Sequence, residues 1–196
     1  LSKKGLFIFE EPYLGSVYEK TSYDQIYDEH IYLFSAHSIK KIFEMYNMTL
    51  IDCIPQETHG GSMRYVIARK NTKKQKKIVN KILDNEKRLN LDNSEFCKKF
   101  KKNCELSKFN LKKKLEEEKN KFKKICGYAA TSKSTTILNY CDIGTDLIDF
   151  ISDTTPEKIG KYSPGMHIPI VPVSQFKDQL PDVAYLFAWN HKNEIF

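Results

Sequence analysis

The sequence predicts an α/β protein in two parts joined by a helical, lysine-rich stretch, and three observations predict it. Residues 123–196 alternate short apolar runs with helix-like segments in a β-α-β rhythm, which implies a parallel sheet. Residues 35–68 read as a helix followed by two strands closed by a Gly-rich turn, the pattern of an α/β sheet ending in an antiparallel edge. Between them, residues 71–122 repeat lysines and apolar residues at helical spacing, so that stretch packs one face on something.

Each element has its own signal. Leu6-Phe7-Ile8-Phe9 predicts a buried strand ended by Glu10-Glu11-Pro12. The polar stretch Tyr23–His30 then reads as a loop just after a strand's C-terminal end. Ser35–Met48 predicts a helix with Ile39, Ile42, Phe43 and Tyr46 on one face and Ser35 or Ser38 as N-cap. Thr49–Ile54 and Met63–Ala68 predict strands, and Gln56–Ser62, with paired glycines, a tight turn. The connector predicts two or more helices broken near Asn90–Asn93, with Ile78, Ile82, Leu83, Phe96, Phe100, Leu111, Leu115 and Phe122 on their apolar faces. Beyond it, Ile125–Ala130 predicts a strand and Thr135–Tyr140 a helix. Leu147–Ser152 predicts a strand, and a Gly/Pro-rich loop ends in His167-Ile168-Pro169-Ile170. Ser174–Leu180 predicts a short helix and Val183–Trp189 a final strand.

Composition narrows the function classes. The net charge of +7 is local: residues 71–124 hold 19 Lys/Arg against 8 Asp/Glu, and the remainder is net acidic. Lysines on the outer face of a helix read as a solvated surface, the segment has Arg88 as its one arginine, and no nucleic-acid module is recognisable. Nucleic acid is therefore not an expected partner. Neither is a membrane, since no apolar run approaches the roughly 20 residues of a span. Five cysteines without a C-x-x-C pair read as reduced thiols of a cytoplasmic protein, not as a disulfide framework or a metal site. The start, Leu1-Ser2-Lys3-Lys4-Gly5, running straight into an apolar strand, reads as a chain entered mid-domain and is not a signal peptide.

Three stretches carry candidate chemistry. Tyr23-Asp24-Gln25-Ile26-Tyr27-Asp28-Glu29-His30 is the densest set of titratable groups. Adjacent Glu29 and His30 offer a base, and Tyr27 an acid or hydrogen-bond donor, for removing a proton beside a carbonyl. The same stretch also reads as an exposed acidic loop. His59-Gly60-Gly61-Ser62 with Arg64 offers backbone amides and a cation to an anionic oxygen, or is an ordinary glycine hairpin. Ala130-Thr131-Ser132-Lys133-Ser134-Thr135-Thr136, between a strand and a helix, suits phosphate. It lacks both P-loop glycines, and simple N-capping explains it equally.

The ordered motifs resemble the sugar C-methyltransferases that act on nucleotide-linked ketosugars. They are Phe9-Glu10-Glu11-Pro12-Tyr13-Leu14, Thr21 to His30, and Thr58-His59-Gly60-Gly61-Ser62, then Leu138-Asn139-Tyr140-Cys141, Asp146-Leu147-Ile148-Asp149, Pro164 to Ile170, and Trp189-Asn190-His191-Lys192-Asn193-Glu194-Ile195. The resemblance implies an α/β fold class: the end of a class I methyltransferase Rossmann-type sheet (1–70), a helical connector (71–122) and a small parallel-sheet Rossmann-like domain (123–196). It implies S-adenosylmethionine as methyl donor, bound mostly upstream of this chain, and zinc only in an N-terminal domain, also upstream. It implies deoxysugar biosynthesis, by methyl transfer to the carbon beside a keto group through a base-made enolate. Glu29, His30 and Tyr27 become the catalytic candidates, and Tyr23, His59, Gly60, Gly61, Ser62, Arg64, Lys133 and Asn139 the substrate-binding ones. The fragment alone is expected to be inactive. One departure stands out: where the family has a Gly-Ala-Pro-Ala-Lys-Gly-Asn-like stretch, this chain has Ala129-Ala130-Thr131-Ser132-Lys133-Ser134-Thr135, keeping the lysine and losing both glycines. That loss favours the alternative of a non-catalytic nucleotide-sugar-binding module or degenerate relative.

Overall fold

The computed structural model describes residues 1–121 and 123–195; Phe122, expected on the connector's apolar face, lies outside them. The chain divides into two compact units. Leu1–Ser22 and His30–Lys102 form the first, and Tyr23–Glu29 with the chain from Asn103 onward forms the second.

The first unit holds strands β1 (Leu6–Pro12), β2 (Met48–Gln56) and β3 (Ser62–Arg69) and helices α1 (Leu14–Lys20), α2 (Ala36–Glu44) and α3 (Lys77–Arg88). The strands form an antiparallel sheet in the order β1-β3-β2. Central β3 is apolar because both its faces are covered. Met63, Tyr65 and Ile67 face a core shared with Ala36, Ile39 and Val79, while Val66 and Ala68 pack with Ile51 on the other side. The register of β2 slips between Leu50 and Asp52. That bulge lets Leu50 and Cys53, three apart, share one face.

Several expectations need correcting here. The strand at 6–9 is not buried: it runs on through Glu10 and Glu11 to Pro12, and Leu6, Phe7 and Ile8 are 45%, 42% and 53% exposed. Among the described residues β1 pairs on its β3 side alone, so it forms the sheet's edge. Helix α1, for which the sequence gives no signal, separates that strand from Tyr23–His30, which therefore does not directly follow a strand end. Helix α2 stops at Glu44, not Met48, and Asn47 takes a left-handed φ of 54°. Its start matches the expected cap, with Ser35 and Ser38 in a reciprocal capping box.

A second cap comes from α3. Glu86 is 1% exposed. Its carboxylate accepts the amides of Ala36 (2.6 Å) and His37 (2.8 Å) and the hydroxyl of Tyr13 (2.9 Å). The first amides of a helix have no partner within it, and here a carboxylate from the connector satisfies two of them. Burial pushes the Glu86 carboxyl above the usual range, and the three donated hydrogen bonds oppose that shift.

Helix α4 (Glu95–Lys119) begins in the first unit and continues in the second. The break from α3 falls where expected, with Asn90 at φ 58°. The second unit contains β4 (Ile125–Tyr128), α5 (Ser132–Cys141), β5 (Phe150–Asp153), β6 (Ile170–Pro172), α6 (Val173–Gln179), β7 (Val183–Leu186) and α7 (Lys192–Ile195). Its four strands are parallel in the order β6-β5-β4-β7, the expected Rossmann-like sheet. Boundaries differ: α5 starts at Ser132 and not Thr135, β5 at Phe150 and not Leu147, and β7 ends at Leu186. Strand β6 carries no strand signal in the sequence, because its three residues follow Pro169 and end in Pro172. Gly127 in β4 is a packing requirement, since a Cβ there would meet the Phe187 ring at 2.5 Å.

All five cysteines are free, and only Cys97 is exposed. Among the described residues no helix is long and apolar enough to cross a membrane, and no group of three His, Cys, Asp or Glu side chains is gathered to hold a metal ion.

Removing the Glu86 cap should cost stability in proportion to the donors stranded. Glu86→Ala is expected to lower the free energy of unfolding by about 3 kcal/mol, and Glu86→Gln, which keeps one acceptor, by about 1 kcal/mol. Urea titration followed by circular dichroism measures both.

Candidate functional site

In the second unit, Tyr23–Gln25 form a 3-10 turn packed on α5. Tyr23 is buried, its hydroxyl 3.3 Å from the Cys141 sulfur and its ring 4.9 Å from that of Tyr140. It packs into the unit's interior, where burial pushes its phenol up. Asp24, 5% exposed, accepts the indole N–H of Trp189 at 2.8 Å. Tyr27 is half-buried, and the exposed Glu29 accepts its hydroxyl hydrogen. Burial and that carboxylate push the Tyr27 phenol up to about 12, so it is a proton-bearing donor at neutral pH. Lys133, 7% exposed, places its Nζ 5.5 Å from the centre of the Tyr27 ring, close enough for a cation–π contact. Tyr27, Glu29 and Lys133 are thus brought together from two elements distant in sequence.

The division between units falls after Glu29, so His30 belongs to the first unit. There its Nδ1 lies 3.4 Å from the Glu11 carboxylate, at the end of β1, and its ring is 6.5 Å from that of exposed His59. His59, Gly60 and Gly61 have φ values of 54°, 84° and 138°. The expected tight turn is therefore a 3-10 turn with successive positive φ, which two glycines make accessible. A Cβ on Gly61 would also meet Ser16 at 2.5 Å. The Gly60 carbonyl accepts from Lys20, and the Ser62 hydroxyl donates to the Thr58 carbonyl at 3.1 Å. Arg64 is engaged by Glu10 at 2.9 Å.

Asn139 clamps a loop: its amide donates to the carbonyls of Thr135 (2.8 Å) and Pro164 (2.9 Å), leaving no room for a side chain at Gly165. Beside it, an open cleft of about 330 Å³ is lined by Thr131, Ser132, Thr135, Lys158, Lys161 and Tyr162. Lys158 donates to the Ala130 carbonyl at 2.8 Å. Asp153, at the end of β5, accepts the amides of Ala130 (2.6 Å) and Thr155 (2.7 Å). Burial acts to raise its carboxyl, but these hydrogen bonds and Lys158 hold it below the usual range.

The loop that departs from the family pattern has a structural answer at both positions. Ala129, where the family has its first glycine, stands at φ 73°, a conformation costly for a residue with a Cβ. Ser134, where the second would be, is buried and exchanges hydrogen bonds with Thr131 (3.1 and 2.6 Å), which N-caps α5. The contacts of Glu11, Asp24 and Trp189 are not evident from residue type and spacing. The signal for Asp24 and Trp189 was available: an acidic residue and the chain's single tryptophan, each inside a matched motif.

Comparison with known proteins gives a concordant result. Residues 57–196 match the model of the C-methyltransferase C-terminal domain. Over its whole length the chain is 30% identical to the C-methyltransferase NovU of Streptomyces niveus, and it spans about half of that relative, 47% of its length.

Restoring glycine at position 129 should relieve the left-handed strain. Ala129→Gly is expected to stabilise the chain by about 0.5–1 kcal/mol, after allowance for the looser unfolded chain. Thermal or urea unfolding would show it, and a loss of stability would contradict the assigned backbone strain.

Proposed function

The chain belongs to the C-methyltransferase family through its C-terminal domain, and on that premise we propose that it forms part of an enzyme methylating a carbon next to the keto group of a nucleotide-linked sugar. The observation that carries this reading is the convergence of Tyr27, Glu29 and Lys133 in one place. The ordered motifs support the class of substrate. S-adenosylmethionine is the proposed methyl donor, and it supplies an electrophilic methyl group; its pocket belongs mostly to residues outside this chain.

The residues present suit the proton-transfer half of such a reaction. A base takes the proton from the carbon beside the keto group, and either Glu29 or His30 fills that role. His30 has a carboxylate, Glu11, at Nδ1, the kind of partner that orients an imidazole and supports the charge it gains as a base. Tyr27, proton-bearing at neutral pH, donates to the oxygen on which negative charge develops by turning its one hydroxyl hydrogen from Glu29 to that oxygen. Lys133 beside it favours that charge in a largely desolvated setting. His59, Gly60, Gly61, Ser62 and Arg64 of the first unit remain proposed substrate-binding residues, and within the second unit the cleft beside Thr131 and Lys158 would take anionic oxygens of the nucleotide.

We read residues 1–70 as the C-terminal third of a class I methyltransferase sheet. The exposed apolar edge of β1 supports this, because Leu6, Phe7 and Ile8 are surface that a further strand would cover. The pairing of β1 and β2 on either side of an antiparallel β3 agrees with a sheet that is otherwise parallel further on. The alternative of a non-catalytic sugar-nucleotide binder draws on Ala129 and Ser134, which crowd the loop where two glycines would let a phosphate approach.

In the full-length protein, Glu29→Gln with His30→Asn is expected to reduce methylation of a nucleotide-linked 4-ketosugar at least 100-fold, with S-adenosylmethionine binding retained by calorimetry. Undiminished turnover would refute the assignment. Binding of the sugar nucleotide without turnover by the unaltered protein would favour the alternative.

A further inference from the structure

The arm that carries Tyr27 and Glu29 has little structure of its own. After the 3-10 turn Tyr23–Gln25, residues Ile26–Glu29 lie in no helix or strand, and such a segment adopts one conformation only if its neighbours impose it. The neighbours here are specific. Tyr23 meets Cys141 of α5, and Tyr27 faces Lys133 of the same helix. Between them, Asp24 is held from a different quarter, by the indole of Trp189 in the 3-10 turn Trp189–His191 that follows β7.

The Asp24–Trp189 contact stands out on physical grounds. A carboxylate 95% removed from solvent normally requires an ion pair or several donors. Among the described residues no cation lies within ion-pair distance of Asp24; Lys133 acts on it only at longer range. One neutral N–H at 2.8 Å is the side-chain donor that meets it. Tryptophan nitrogen donates and cannot accept, so the bond fixes direction as well as distance. Asp24 sits three residues before Tyr27 and five before Glu29, so a shift of this anchor moves both.

We propose that Asp24 and Trp189 are positioning residues, whose hydrogen bond sets the placement of the Tyr27–Glu29 arm against α5. Neither side chain touches the reacting atoms; each acts through the arm. The consequence for turnover rests on the function proposed above, whereas the mechanical part does not.

The two parts are tested separately. In the 196-residue chain, hydrogen exchange followed by mass spectrometry reads the amides of residues 23–29, and emission of the single tryptophan reads the indole's surroundings in every variant that keeps it. Trp189→Phe and Asp24→Ala should each speed exchange of the arm about tenfold, while the amides of β4 and β5 keep their protection. The double variant should be no faster than either single one, as coupled partners require. Asp24→Asn, which retains an acceptor for the indole, should restore slow exchange and the parent emission. Unchanged arm exchange, additive effects, or an Asp24→Asn variant as fast as Asp24→Ala would overturn the proposal. In the full-length protein, Trp189→Phe should lower kcat about 10- to 100-fold with the KM for S-adenosylmethionine unchanged. An unchanged kcat in an active protein would overturn it too. If the unaltered full-length protein transfers no methyl group while the exchange results hold, the functional reading fails and the positioning bond stands.

Discussion

A carboxylate removed from water must be surrounded by donors, and in the first unit that demand is met by bringing three parts of the chain to Glu86. Its oxygens collect the hydroxyl that follows β1 and the first two amides of α2. Because hydrogen bonds to charge are among the stronger ones available to a fold, these contacts define where the strand ends and the helix begins. Tyr13 and Phe34 then meet as an isolated bridge, with the Leu14 amide on the Phe34 carbonyl at 2.9 Å. Both flanks of the 23–30 segment, the turn out of β1 and the way into α2, are thereby fixed by one side chain of a helix whose composition suggests a mere spacer.

A corresponding arrangement holds in the second unit. Asp149 accepts the Ile125 amide at 2.9 Å and the Lys119 ammonium at 2.7 Å, tying the end of α4 to the first strand of the parallel sheet. Asp153 does the same for the loop after β4. Acidic residues at strand ends organise backbone amides here; Lys119 of the connector pairs with Asp149 and Lys158 with Asp153, while Lys114, Lys121 and Lys123 of the 71–124 segment gather around Glu118. This is the solvated-surface reading of the charge with its partners named.

The sequence disclosed the parts of the fold governed by periodicity. The parallel β-α-β unit, the two strands at 48–69 and the two connector helices each follow an apolar repeat, and Ser35 announced its own cap. What stayed hidden depends on contacts between distant residues. The edge position of β1 is a matter of what pairs with it, so Leu6-Phe7-Ile8-Phe9 looks like any core strand. Helix α1 is seven residues long with Gly15 inside it, and its Leu14, Val17 and Tyr18 stripe is too brief to outweigh the glycine. At the site, Tyr27 and Glu29 were legible as chemistry, but their division from His30 between two compact units was not. Asp24 fits an exposed acidic loop and Glu11 a strand terminator, because nothing local reveals that an indole or an imidazole will meet them.

The pairing of Asp24 with Trp189 joins residues 165 positions apart, and this has a consequence for synthesis. The residues of the first unit are all made by Lys102, yet the arm between its two segments belongs to a unit whose last strand and Trp189 come much later. During that interval Asp24 has no indole to meet and must remain hydrated, keeping the arm outside any finished interior. A ribosome-bound chain would therefore carry all of the first unit's residues with an unset loop in their middle, and the appearance of one tryptophan marks the moment at which that loop can be set.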